Sequence, residues 1–567
     1  MQIELGKHRS VRKIKSGLMH GIKKTPAEAG VAGLSSGVHV GDGRVVLLDG
    51  LGGESGRTVR ALLHLSLLVG TGHSSPDGAV VCRTYQIKFA CTSVFVDSLL
   101  RYTTRHMSIE LQADYKRAFK DADIRAIYPT EIDEELVYFV ARAFVEEFGY
   151  TKVLVARDMR LSTPQLHAAF LKGATDSGAA VVDIGQVHTP ALYFASATMN
   201  LPGVMITASH SPKEYNGLKL VHAQAIPLTE KSGLGKIRKR IERGKFVDAK
   251  KVGKVTAKDV LKGYQRFVLK GYKGKKLAGM KIAADAGNGM SSVLLPLLQE
   301  KLPAKFDMLF PKLDGAFPNR GSDPTLHAHQ EPLRERLAKK KYDFGVAFDG
   351  DSDRIAFLDE NGRYINSAVI GALIAEHYLA TNPGAKIGYT GLTSRSFEEA
   401  IKRAGGKPVL MKVGHAFIKE SMRKQDVLFA AEHSGHFYFK DYFFTDSVTL
   451  TLLAVCDAYA LVKAEGKTFS EMMAPHLEYE QTEDVVVMVK NKEVALEKTR
   501  VYLESLQPKK LKKADGYIVD FGEVWGMVKP SVTEYALKLM FESKKKSLAV
   551  KMQKDLVKFV KSVAKAE

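Results

Sequence analysis

Four short stretches of the chain concentrate side chains able to do chemistry. Thr207-Ala208-Ser209-His210-Ser211-Pro212 follows the apolar run Gly203–Ile206. Small residues at the mouth of a strand let a substrate approach the backbone, so Ser209 can act as a nucleophile or phosphate carrier. His210 can donate a hydrogen bond beside it, and Lys213 and Lys219 add positive charge. The bland alternative is a Ser/Pro turn that ends the strand. Asp349-Gly350-Asp351-Ser352-Asp353-Arg354 follows a second apolar run, Phe344–Phe348. Alternate aspartates in a tight loop, with Gly350 permitting the turn, can converge on one hard cation. Three side-chain oxygens would leave room on Mg2+ for a phosphate oxygen. An EF-hand is excluded on spacing, because Arg354 stands at the loop position that must be Gly. An acidic turn that binds nothing is the rival, and Arg354 would be odd there.

In the third stretch, Glu432-His433-Ser434-Gly435-His436, Glu432 and Ser434 alternate. In an extended loop they point the same way, and carboxylate plus hydroxyl suit two adjacent sugar hydroxyls. His436 can carry a proton near neutral pH. The fourth, Lys529-Pro530-Ser531-Val532-Thr533-Glu534, follows a strand; Lys529, Ser531, Thr533 and backbone N–H groups could hold a phosphate dianion. Ordinary polar turns compete with both readings.

The elements that must position these stretches alternate between strand and helix, the pattern of α/β layers. Lys152–Arg157 reads as a buried strand. Ser162 or Thr163 can cap the next helix with Pro164 in its first turn, and Leu166, Phe170 and Ala174 share one face. Similar units recur near 281–302 and 386–410, and strands near 483–489 begin a last region. A chain of 567 residues is too long for one core. The expected division is 107–264, 265–365, 366–478 and 479–567, after a segment 1–106 rich in Gly, Ser and His that is expected to be unstructured or outside the fold.

Composition is that of an ordinary globular protein, 45% hydrophobic and 26% charged. No apolar stretch is long enough to span a bilayer, and the basic start lacks a signal-peptide core. Three cysteines make neither a zinc spacing nor a disulfide framework, which fits a reducing, cytoplasmic setting. The formal charge of +21 raises nucleic-acid binding as an option. However, residues 1–106 hold 14 Lys+Arg against 7 Asp+Glu and residues 543–567 hold 8 against 2, so over half the excess sits at the two ends. No nucleic-acid or membrane partner is expected, and the chain is read as a monomer or weak dimer.

Taken in order, the motifs resemble the α-D-phosphohexomutase superfamily, specifically its phosphomannomutase/phosphoglucomutase branch, from about Met107 to the C-terminus. The resemblance rests on the four stretches together with Asp123-Ile124-Arg125, Ala156-Arg157-Asp158, Glu214-Tyr215-Asn216-Gly217, Asp285-Ala286-Gly287-Asn288-Gly289, Phe317-Pro318-Asn319 and Val413-Gly414-His415. It implies a heart-shaped, four-domain fold: three similar α/β domains and a smaller C-terminal α+β domain, each sending one loop to a central cleft. It implies that Ser209 is phosphorylated and that Asp349, Asp351 and Asp353 hold one Mg2+ with an oxygen on Ser209. Glu432 and Ser434 would read the sugar, and Lys529, Ser531, Thr533 and Lys538 the phosphate that is not transferred. Arg125, His210, Lys219, Arg354, His415 and His436 would surround the reacting groups.

The implied activity interconverts hexose 1-phosphate and hexose 6-phosphate, of mannose, glucose or both, through a hexose 1,6-bisphosphate. Phosphoglucosamine mutase, a metal-dependent phosphatase and a catalytically weak phosphosugar-binding protein are the alternatives. The chain departs from the family pattern at Ser211, Ala126 and Leu392, and most in the phosphate loop. There lysines replace arginines at 529 and 538, Val532 takes a small position and Tyr535 replaces proline. Lysine keeps the charge but loses the bidentate fork.

Overall fold

The computed structural model describes residues 115–270, 272, 277–531 and 535–566, together with four strands nearer the N-terminus. The chain divides into two units, Met1–Ile109 and Glu110–Glu567. In the first, Val38–Gly41 pairs antiparallel with Arg44–Leu47, and Ala61–Gly70 with Cys82–Cys91. These strands are the described part of the segment expected to be unstructured; the rest of that expectation lies outside the described residues.

Among its described residues the larger unit contains four sheets. The first has the order Ile226–Pro227, Tyr215–His222, Gly203–Ile206, Lys152–Arg157, Ala180–Gln186, Val255–Ala257, with Ile124–Ile127 paired to Tyr215–His222. The second runs Lys305–Leu309, Lys281–Asp285, Phe344–Phe348, Ile355–Asp359, Tyr364–Ile365. The third repeats that topology with Lys407–Met411, Lys386–Thr390, Phe429–Ala431, Phe437–Phe439, Thr445–Asp446. The fourth is antiparallel, built around the hairpin of Val524–Pro530 and Ala536–Ser543.

One device recurs in the first three sheets. A strand parallel to the central strand reaches its C-terminal end, and the chain then turns back into an antiparallel neighbour. Gly203–Ile206 turns into Tyr215–His222, Phe344–Phe348 into Ile355–Asp359, and Phe429–Ala431 into Phe437–Phe439. The serine, aspartate and Glu432 stretches are these three turns, and the Lys529 stretch enters the turn of the fourth hairpin. Carboxyl ends of parallel strands are where open α/β sheets place ligands. The strands leading in are buried throughout, which is why they read as unbroken apolar runs.

Helices cover the sheets by ordinary rules. Glu134–Phe148 begins where the Asp133 carboxylate accepts from the Leu136 N–H and ends at Gly149 with φ 65°. It buries Leu136, Val137, Val140, Ala141, Phe144 and Val145. Thr163–Asp176 has Pro in its first turn as expected, but neither hydroxyl caps it. Ser162 Oγ and Thr163 Oγ1 instead accept from Asn216 Nδ2, at 2.8 and 3.0 Å, tying this helix to the hairpin that carries Ser209. Among the described residues no helix is long and apolar enough to cross a membrane.

Candidate functional site

The serine and aspartate turns meet. Ser209 is 2% exposed and its Oγ donates to Asp349 Oδ2 at 2.6 Å. Its backbone has φ 51°, left-handed and uncommon outside glycine, so the turn holds it against its preference. The device that holds it is Arg160, fully buried. Its guanidinium donates to four carbonyls of the same turn: Ser209 and Ser211 at 2.7 and 2.6 Å, Pro212 and Tyr215 at 2.7 and 2.9 Å. Sequence reading passed over Arg160. Its only local sign is an arginine two residues after Asp158, whose carboxylate accepts from the Arg160 N–H.

Gly350 plays a different part from the expected one. It does not carry the left-handed turn; Ser352, with φ 55°, does. A Cβ on Gly350 would stand 2.7 Å from the Ser209 carbonyl oxygen, so glycine is there because two loops from different domains touch.

Asp349, Asp351 and Asp353 are all at most 1% exposed, and one oxygen from each lies within 4.8 Å of the others. Such a trio is unstable without positive charge. Lys219, on the strand returning from the serine turn, supplies it: Nζ donates to Asp351 Oδ2 at 2.7 Å and also to Asp353 Oδ2. Burial and the carboxylates of Asp353 and Asp351 push Asp349 well above the ordinary carboxylate range. Burial works the same way on Asp351 and Asp353, but Lys219 overrides it and holds both below that range. Burial opposes charge on Lys219, yet the two aspartates raise it. Asp351 Oδ1 and Asp353 Oδ1 are buried oxygens without a hydrogen bond among the described residues, so the donor set fits a hard divalent cation.

Around this centre stand most of the other expected residues. Arg125 donates to Ser211 Oγ at 3.1 Å and to Asp123 at 2.6 Å, so the serine found where the family has Asn keeps a polar role. His210 Nδ1 is 3.4 Å from Ser209 Oγ. Burial first, then Arg354 and Arg125, press its pKa well down. Arg354 Nε donates to His436 Nε2 at 3.0 Å, which places the His436 proton on Nδ1, facing Asp353 and Asp446 at 3.8 and 3.7 Å. His415 opens the helix His415–Gln425 with its ring 6.3 Å from that of His436. Burial and Lys419 hold His415 neutral. Lys213, by contrast, is exposed.

The Glu432 stretch is a tight turn rather than an extended loop: the Gly435 N–H donates to the Glu432 carbonyl at 3.1 Å. Glu432 is aimed by its own hydrogen bonds, accepting from the Gly414 N–H at 3.1 Å and Tyr438 Oη at 2.9 Å. Ser434 Oγ has no protein partner among the described residues. Lys529 is buried and lies opposite Lys538 across the hairpin. Burial lowers its pKa, while Asp515 and Glu432 oppose that, so the third and fourth loops act on one another. Lys492 Nζ donates to the Ser531 carbonyl at 3.1 Å. Thr533 lies outside the described residues.

Two further charged residues escaped sequence reading. Lys419 and Asp446 form a buried pair at 2.9 Å beneath His436, with the lysine 3.8 Å from the centre of the Tyr193 ring. Burial, with Asp353 adding to it against Lys419, raises Asp446 to about 6. A cavity of about 350 Å3 between the third and fourth domains is lined by Thr393, Arg395, Lys510 and Trp525, among others, and by none of the residues above.

Three family models match the chain: phosphoglucomutase/phosphomannomutase alpha/beta/alpha domain I at residues 116–248, domain II at 262–362 and domain III at 366–479. The chain is 32% identical over 433 residues to a phosphohexose mutase of Xanthomonas campestris, covering 75% of this chain and 95% of that one. It is 31% identical over 461 residues to a phosphomannomutase of Vibrio cholerae, covering 78% and 98%. Among solved structures, a phosphoglucomutase/phosphomannomutase family protein of Burkholderia thailandensis superposes with a TM-score of 0.71 at 28% identity, over 79% of this chain and 98% of that one.

Proposed function

Since this chain belongs to the phosphoglucomutase/phosphomannomutase family of α-D-phosphohexomutases, we propose that it is an intramolecular phosphotransferase interconverting hexose 1-phosphates and hexose 6-phosphates of glucose, mannose or both. The observation that carries the reading is the 2.6 Å contact between Ser209 Oγ and Asp349 inside a buried carboxylate trio. A lone serine turn would have no reason to meet three aspartates from another domain.

In this reading Ser209 carries the phosphoryl group. Its Oγ–P bond breaks as O1 or O6 of the bound monophosphate bonds to phosphorus, giving a hexose 1,6-bisphosphate. The bisphosphate turns end over end, and Ser209 Oγ then takes the other phosphate. Phosphoryl transfer needs positioning and charge stabilisation more than covalent help. Asp349, Asp351 and Asp353 would hold Mg2+, which when bound neutralises charge on the phosphoryl oxygens. Lys219 and Arg354 add fixed positive charge beside Ser209, and Arg160 fixes the direction of its Oγ.

The proton released by the attacking hydroxyl needs a neutral base, and burial keeps both His210 and His415 neutral. His436, with Nε2 engaged, orients Arg354. Glu432 and Ser434 read the ring hydroxyls, while Lys529, Ser531, Thr533 and Lys538 hold the phosphate at the far end. Both orientations must bind, so these contacts serve either end of the sugar. The low cysteine count supports action in the cytoplasm.

The test incubates the protein with Mg2+, a trace of hexose 1,6-bisphosphate, and glucose, mannose or glucosamine 1-phosphate in turn, following phosphorus NMR. The expected result is glucose or mannose 6-phosphate. Glucosamine 6-phosphate alone would make it a phosphoglucosamine mutase. Inorganic phosphate alone would make it a phosphatase, and no turnover a binding protein.

A further inference from the structure

Thr189 begins the helix Thr189–Met199 of the first domain, with Pro190 beside it, and is fully buried. It reaches into the aspartate turn of the second domain and grips its middle residue twice. The Thr189 N–H donates to the Asp351 carbonyl at 2.9 Å, and Thr189 Oγ1 donates to Asp351 Oδ2 at 2.5 Å. Lys219, also from the first domain, donates to that same oxygen.

The consequence lies in what is left over. With Oδ2 held twice, Asp351 Oδ1 remains buried without a hydrogen bond among the described residues. It belongs to a trio in which the other two aspartates also offer an oxygen. A carboxylate free to rotate would divide its time between orientations; one pinned at Oδ2 and at its backbone carbonyl cannot. His188, the residue before Thr189, is buried, kept neutral by that burial with its pKa pushed down to about 3, and sits edge-on to Tyr264 at 4.6 Å.

We propose that Thr189 is a positioning residue for the metal site, selecting the oxygen of Asp351 that faces a divalent cation and coupling the first domain to the loop of the second. This rests on the reading of the aspartate trio as a Mg2+ site. Groups that orient metal ligands are worth about 10- to 100-fold in metal affinity.

The experiment measures Mg2+ binding to the full chain by calorimetry, without substrate, for wild type, Thr189→Val and Thr189→Ser. Thr189→Val keeps size and removes the donor, and should weaken Mg2+ binding about 10- to 100-fold. Thr189→Ser should bind within about threefold of wild type. The Mg2+ concentration for half-maximal turnover should rise in the same order, with the KM for hexose phosphate unchanged. If Thr189→Val does not fold, Thr189→Cys, a weak donor of similar size, takes its place with the same expected loss. Equal Mg2+ affinity in wild type and the donor-less variant overturns the proposal while leaving the mutase reading intact. No Mg2+ binding by wild type overturns both.

Discussion

The second and third domains share one frame and use it for opposite ends. Each has the same order of five strands, and each makes its functional turn between a parallel strand and its antiparallel neighbour. In the second domain that turn holds three aspartates, closed off from solvent and tied by Lys219 and Thr189 of the first domain. In the third it holds Glu432, aimed from within by Gly414 and Tyr438, and Ser434, whose hydroxyl is left free among the described residues. Topology decides where a turn sits. In the proposed reading, side-chain charge, and which domain satisfies it, decides whether the turn manages a cation or reads neutral hydroxyls.

Substitutions in the two turns should therefore fail differently. Asp351→Asn should lower kcat by about a thousandfold and raise the Mg2+ requirement, the size expected when a group stabilising transition-state charge is lost. Glu432→Gln should lower kcat/KM by about a hundredfold, since a buried charge-assisted contact is worth about 1.5–3 kcal/mol, with the Mg2+ requirement unmoved. A shifted Mg2+ requirement in Glu432→Gln would erase the contrast. Removing only the support, Tyr438→Phe, should cost about tenfold in KM, one hydrogen bond's worth. In the turn proposed to hold phosphate, Lys529→Arg should lower KM a few-fold by supplying a bidentate donor, checked by initial rates; an unchanged or raised KM would refute it.

Legibility in the sequence follows the range of the interactions. Gly203–Ile206 and Phe344–Phe348 were readable because buried strands are continuous apolar runs, and the turns because Ser, Asp and Glu stand out at their ends. Thr189 was not readable, because its meaning depends on Asp351, 162 residues away, and a Thr-Pro pair alone says only that a helix starts. Arg160 looked like any arginine after a strand until its four carbonyls folded around it. Gly350 was noticed for the wrong reason: contact with the Ser209 carbonyl, invisible in one dimension, excludes a side chain there. Glu432 and Ser434 stand out in the sequence, but their alternation predicts an extended loop where backbone hydrogen bonding makes a turn.

A further expected effect concerns stability. His188 is buried with its pKa near 3, so below about pH 6.5 the unfolded chain binds a proton there that the folded chain does not. Folding stability should therefore fall as pH drops from 6.5 towards 3, by roughly 1.4 kcal/mol per pH unit from this residue. Denaturant unfolding of wild type and His188→Phe at pH 7, 6 and 5 should show the variant losing less. Parallel pH dependences would remove His188 from the account.

The central claim is tested most directly at Ser209. The protein is incubated with hexose 1,6-bisphosphate, its phosphorylated residue is mapped by mass spectrometry, and added hexose monophosphate is then followed for uptake of that phosphate. A single phosphate on the Ser209 peptide, passed to the sugar and lost along with turnover in Ser209→Ala, is the predicted result. Wild-type turnover by Ser209→Ala, or a transferable phosphate on another residue, would contradict it.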